Sequence, residues 1–141
     1  MNRRKGHPSE PVADGMGGIK PVVMVPDDNA RTYAETTAPA QIDGDSPALH
    51  STEEMRRLAT PWSVAIAKAK LLASCQLPPG VILDPACGSG TQLAALCTTL
   101  QRPGLGVELS GAIAPLAAVN LERCEDSSGG DWSATSRVIW G

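Results

Sequence analysis

The stretch "VILDPACGSGTQLAALCTTL" (81–100) decides the fold. Val81 to Leu83 form a short continuous apolar run, suited to a strand buried on both faces of a parallel sheet. Pro85 holds Asp84 in the extended region and ends that strand. Beyond the turn, Leu93, Leu96, Cys97 and Leu100 recur at helical spacing and mark the inward face of a helix. An acid, a proline and two glycines are therefore crowded where a strand hands over to a helix. In open α/β sheets ligands bind at that edge. Gly88 and Gly90 allow close backbone approach and positive φ, and the N–H groups that open the helix favour a negative group.

Reading toward the C-terminus, "RPG" (102–104) stops the helix and "LGVEL" (105–109) is a second strand that ends in an acid. "SGAIAPLAAVNLERC" (110–124) is a further sheet-packing helix, with regular turns expected from near Pro115, where a proline costs no helical bond. "EDSSGGD" (125–131) reads as a loop and "SRVIWG" (136–141) as a third strand. Reading back from the turn, "QLPPG" (76–80) is a linker. Before it, Trp62, Ala65, Ile66, Ala69, Leu72 and Ala73 share one face of a helix, with Thr60 as its expected N-cap and Pro61 at its first position. "HSTEEMRRL" (50–58) has the capping-box spacing Ser51–Glu54 and predicts a short helix with Met55 and Leu58 inward. The alternation predicts the α/β class: a partial Rossmann-like parallel sheet of three strands with flanking helices.

Residues 1–49 carry six of the 12 prolines and few large apolar residues, and "KPVVMVPDD" (20–28) is a short, isolated apolar cluster. The expectation is a disordered N-terminal tail over 1–49 and a partial domain over 50–141. The formal net charge is −3 and the basic residues are dispersed, so no electrostatic footprint for nucleic acid is present. There is no run of ~18 apolar residues for a membrane span and no signal core, which makes a soluble cytoplasmic protein the default expectation. Cys75, Cys87, Cys97 and Cys124 are separated by 12, 10 and 27 residues, without a CxxC pair, with His7 in the expected tail and His50 at the edge of the expected folded part. That pattern argues against a zinc site and for buried thiols in a reducing compartment.

Glu108 closes its strand 18 residues after Gly90. A carboxylate there can accept both hydroxyls of a ribose, each charge-assisted bond being worth ~1.5–3 kcal/mol. Turn and acid together describe a site for a nucleoside-bearing cofactor. A dinucleotide fingerprint wants a small residue where Leu93 stands, and Asp84 is a poor neighbour for a pyrophosphate. S-adenosylmethionine suits the residues better: Asp84 can serve its ammonium, the helix N-terminus its carboxylate.

"DPACGSGT" (84–91) followed by "GVEL" (106–109) resembles the cofactor half of class I S-adenosylmethionine-dependent methyltransferases, especially those that methylate amino groups of DNA or RNA. The resemblance covers roughly residues 58–141. It implies that Asp84, Ala86, Gly88, Ser89, Gly90 and Thr91 form the cofactor loop and that Glu108 binds the ribose. "TPWSVAIAKAKLLA" (60–73) is similar to the segment covering the methionine moiety, which adds Thr60 and Pro61 to the site. The family's Asp/Asn/Ser-Pro-Pro-aromatic catalytic tetrapeptide is found on neither side of the glycine turn, and no catalytic residue is named. The expectation is a methyltransferase truncated before its catalytic motif. Two other readings compete with it: a nicotinamide-dependent oxidoreductase fragment, and a non-catalytic cofactor-binding module completed by a second chain. A glycine turn that merely packs helix on strand is the bland alternative to all three.

Overall fold

The computed structural model describes residues 20–141. Its elements run β1 (Val22–Met24), α1 (Asp28–Thr37), α2 (Glu53–Leu58), α3 (Trp62–Ala73), β2 (Ile82–Asp84), α4 (Thr91–Leu100), β3 (Gly104–Glu108), α5 (Ala114–Ser128), a 3-10 turn (Trp132–Thr135) and β4 (Arg137–Trp140). The class is α/β. The four strands lie in the order β1-β4-β3-β2, with β2, β3 and β4 parallel and β1 antiparallel to β4. The expected three-strand parallel sheet is thus present and is extended by a fourth strand that makes the sheet mixed.

That fourth strand corrects the reading of residues 20–49 as a tail. Val22, Val23 and Met24 pair with Trp140, Ile139 and Val138. Met24 is buried in the core with Val138 and Leu121. The chain then turns at Asp27, whose carboxylate caps α1 by accepting from Ala30 N–H at 2.8 Å. Ala30, Ala34 and Ala38 of this segment pack against Leu116 and Val119 of α5, where small side chains permit close helix approach. Arg31 adds a two-pronged bond to Glu122 (2.6 and 2.9 Å). Despite its low apolar content the segment is ordered, because alanines and one short edge strand are enough when the rest of the core already exists. Residues 1–19 lie outside the described residues.

The core lies between the sheet and one layer of helices. Gly104 and Gly106 of β3 face α4 so closely that a Cβ on either would stand 2.7–2.8 Å from the sulfur of Cys97 or Cys87, and 3.0 Å from Leu93. Leu93, fully buried, therefore fits because the strand, not the helix, supplies the small residues. α3 packs on α4 and α1 on α5. Among the described residues the other face of the sheet is uncovered. Leu83 is 63% exposed and Val81 58%, so the expectation of a strand buried on both faces is corrected: β2 is an edge strand with one face in solvent.

Helix starts differ in informative ways. α2 is capped by Thr52, not Ser51, and Leu58 is 76% exposed rather than inward. α3 begins at Trp62 after Pro61; Thr60 does not cap it. The cap comes from Asp43, whose Oδ2 accepts the Trp62 N–H at 2.9 Å from 19 residues upstream. Of the expected face of α3, Trp62, Ala65 and Ala69 are buried, whereas Leu72 is 39% exposed near the free end of the helix. α5 starts as expected, with Pro115 in its first turn, and runs on to Ser128, where Gly129 ends it at φ +69°. Among the described residues no helix is long and apolar enough to cross a membrane.

Candidate functional site at the carboxyl ends of the parallel strands

Strand β2 stops at Asp84, whose Oδ1 accepts the Ala86 N–H at 3.1 Å and turns the chain. The Cys87 N–H donates to Val107 O at 2.9 Å, so the turn stays fastened to β3 after the strand ends. Gly88 (φ +55°) and Gly90 (φ +78°) both occupy the left-handed region, which a residue with a Cβ adopts only at a cost. A Cβ at Gly90 would also lie 3.1 Å from the backbone of Ala117 on α5. Gly90 precedes α4 without a side-chain cap, and the first helical bond runs from Ala94 N–H to Gly90 O at 2.8 Å. The N–H groups of the opening turn are therefore left without helical acceptors.

Glu108 ends β3 next to this turn. Its Oε1 accepts the Ser110 N–H at 2.9 Å, which orients the carboxylate and leaves it further lone pairs. Asp84 and Glu108 both stand close enough to Cys87 to act on its thiol. Burial first, then these two negative charges, push the Cys87 thiol up to about 12. Ala86 is exposed and Ser89 buried. Thr60, Pro61 and Thr91 meet elsewhere, around a cleft of ≈ 380 Å³ lined also by Asp43, Ser51 and Arg56. The expected residues accordingly form two groups: the 84–90 turn with Glu108, and the cleft at the start of α4. Thr91 belongs to both, since its hydroxyl lies 3.4 Å from that of Ser89. A second cleft, ≈ 400 Å³ between β1, β4 and α5, is lined by Val25, Leu121 and Arg137 and shares no residue with either group.

Several residues at the site escaped sequence reading. Met55 lies against the glycine turn, its Cε 2.6 Å from where a Gly88 Cβ would stand. His50, expected only at the edge of the folded part, is 1% exposed, its Nδ1 2.8 Å from Ala38 O. Asn120 is fully buried on α5 and bonded to both His50 and Ser89. A sequence signal for Asn120 existed: an amide inside the apolar run "APLAAVNL" (114–121) needs buried partners.

Three of the four thiols are buried as expected, and Cys75 is exposed. Burial raises Cys97 and Cys124, like Cys87, from 9.0 to about 12. At pH 8 a soluble disulfide reagent should therefore label Cys75 promptly and the other three only on unfolding. A thiol raised in the fold favours the folded chain while it is protonated. That stabilisation is complete below about pH 9 and is lost as pH rises toward 12. Prompt labelling of more than one thiol would contradict the buried positions. Among the described residues no group of three or more His, Cys, Asp or Glu could hold a metal ion.

No family model, curated protein or solved structure matches this chain.

Proposed function

We propose that this chain binds S-adenosylmethionine as the cofactor half of a class I methyltransferase with a nucleic-acid acceptor, β2, β3 and β4 forming a Rossmann-like half-sheet. The observation that carries the reading is the convergence of the 84–91 turn and Glu108 at the carboxyl ends of adjacent parallel strands. The donors and acceptors suit the two ends of the cofactor. Glu108, oriented by Ser110, has lone pairs left for a ribose diol. The uncapped start of α4 suits a carboxylate, and Asp84 suits an ammonium. Thr60 and Pro61 line the same cleft as Thr91 and would cover the methionine end. When bound, the cofactor supplies an electrophilic methyl group on sulfur. The chain's own residues bind and orient it, and exclude water where Met55 lies on the turn. The nucleic-acid acceptor comes from the resemblance of "DPACGSGT" and "GVEL".

Parallel calorimetric titrations with S-adenosylhomocysteine and NAD test the reading. Saturable binding of the first, with no heat from the second, is expected. The reverse result supports a nicotinamide-dependent enzyme instead. A cofactor-binding module completed by a second chain is favoured by one observation, the edge of β2, unpaired among the described residues, beside exposed Leu83. It requires cofactor binding together with a stable complex between chains.

A further inference from the structure

We infer that Asn120 is a positioning residue of this site: its carboxamide latches the glycine turn to the segment that leads into α2 and the Thr60–Pro61 cover. The inference rests on the cofactor reading above and extends it to a residue that need not touch the ligand.

Asn120 is 0% exposed in the middle of α5. An asparagine there is a poor helix former and carries a costly polar group, so it needs strong compensation. The compensation is specific. Its Oδ1 accepts the His50 N–H at 2.8 Å, and its Nδ2 donates to His50 O at 2.7 Å and to Ser89 O at 2.8 Å. One side chain thus uses both donors and one acceptor on two segments far apart in the chain. Around it the 48–51 segment is pinned further. Arg123 Nε donates to Ala48 O at 2.7 Å, the His50 ring meets Ala38 O, and Arg56 Nη1 donates to Ser51 O at 2.6 Å.

Ser89 is the residue between the two left-handed glycines. Its carbonyl is held by Asn120, and its hydroxyl donates to the Ser51 hydroxyl at 3.2 Å. Two bonds thus hold the turn, one from α5 and one from the 50–52 segment. A turn with two glycines samples many backbone states when unconstrained, and each state excluded beforehand is ordering that a ligand need not supply. The latch sets turn and cover in one arrangement before binding.

The test uses the full chain, isotopically labelled. Asn120→Asp keeps an acceptor for His50 N–H, but a buried carboxyl facing two carbonyls retains at most one of the two donated bonds. The dissociation constant for S-adenosylhomocysteine should rise about tenfold or more, with the melt still cooperative. In the ligand-free protein, amide resonances of Ser89–Thr91 and of residues 50–52 should shift together. A folded Asn120→Asp chain with unchanged affinity, or shifts confined to α5, overturns the latch. Should that variant fail to fold, the wild-type chain still decides. Titration with S-adenosylhomocysteine must move the Asn120 carboxamide and His50 amide along with Gly90, and static signals there overturn the inference. If wild type binds no S-adenosylhomocysteine, the cofactor reading falls, and the ligand-free shifts alone uphold or overturn the coupling of turn to segment.

Discussion

A chain beginning at residue 50 is expected to lose its cooperative fold. The deletion removes β1 and leaves Val138, Ile139 and Trp140 of β4 without their antiparallel partners. It removes buried Met24 and Leu49 from the main core, and the three alanines of the α1 segment from Leu116 and Val119, which are 0% and 2% exposed in the intact fold. Burying one large aliphatic side chain is worth ~1.5–3 kcal/mol, and a domain's whole stability is roughly 5–15 kcal/mol. Losing two such side chains and uncovering two more is therefore comparable with the total. His50 would also lose its acceptor on Ala38. Thermal melts followed by near-ultraviolet circular dichroism decide it, with a chain beginning at Lys20 as the comparison. A sigmoidal transition for 50–141 within a few degrees of that comparison would return this segment to the status of a dispensable tail.

Glu108→Ala is expected to weaken S-adenosylhomocysteine binding about tenfold or more, the loss of at least one charge-assisted bond. The site geometry sharpens the expectation. Ser110 N–H already holds Oε1, so the wild-type carboxylate needs little reordering on binding, and the substitution removes both the acceptor and this pre-orientation. Glu108→Gln keeps an acceptor for Ser110 but exchanges the charge for an amide with one acceptor oxygen, and should fall between the two. The partly buried Glu108 packs into no core cluster, so melting temperatures should change little. Unchanged affinity in Glu108→Ala, measured by calorimetry, would take Glu108 out of the site and with it the observation on which the proposed function stands.

The N-terminal half shows where sequence reading stops. Asp43 falls in the stretch expected as a tail, yet it caps a helix that starts at Trp62, because the 41–49 loop folds back onto α3. Leu58 looked inward by its spacing from Met55, but it is the last residue of α2 and 76% exposed, while Met55 meets the turn. Leu93 reads as inward-facing from its spacing, but only the structure shows that Gly104 and Gly106 of β3 make the room for it.

What the sequence by itself determined is local. The strand up to Asp84, its end at Pro85, the two left-handed glycines, the start of α4 and the strand ending in Glu108 all follow from backbone restrictions acting over a few residues. Tertiary structure alone decided that "VVM" (22–24) pairs beside the last strand, that α1 lies on α5, and that Asn120 joins His50 to Ser89. Each of these depends on partners far apart in the chain. Residues such as alanine, asparagine and a three-residue apolar run carry no local preference strong enough to announce them. Their stabilisation comes from burial and from satisfied hydrogen bonds, which exist only once the surrounding surface has formed.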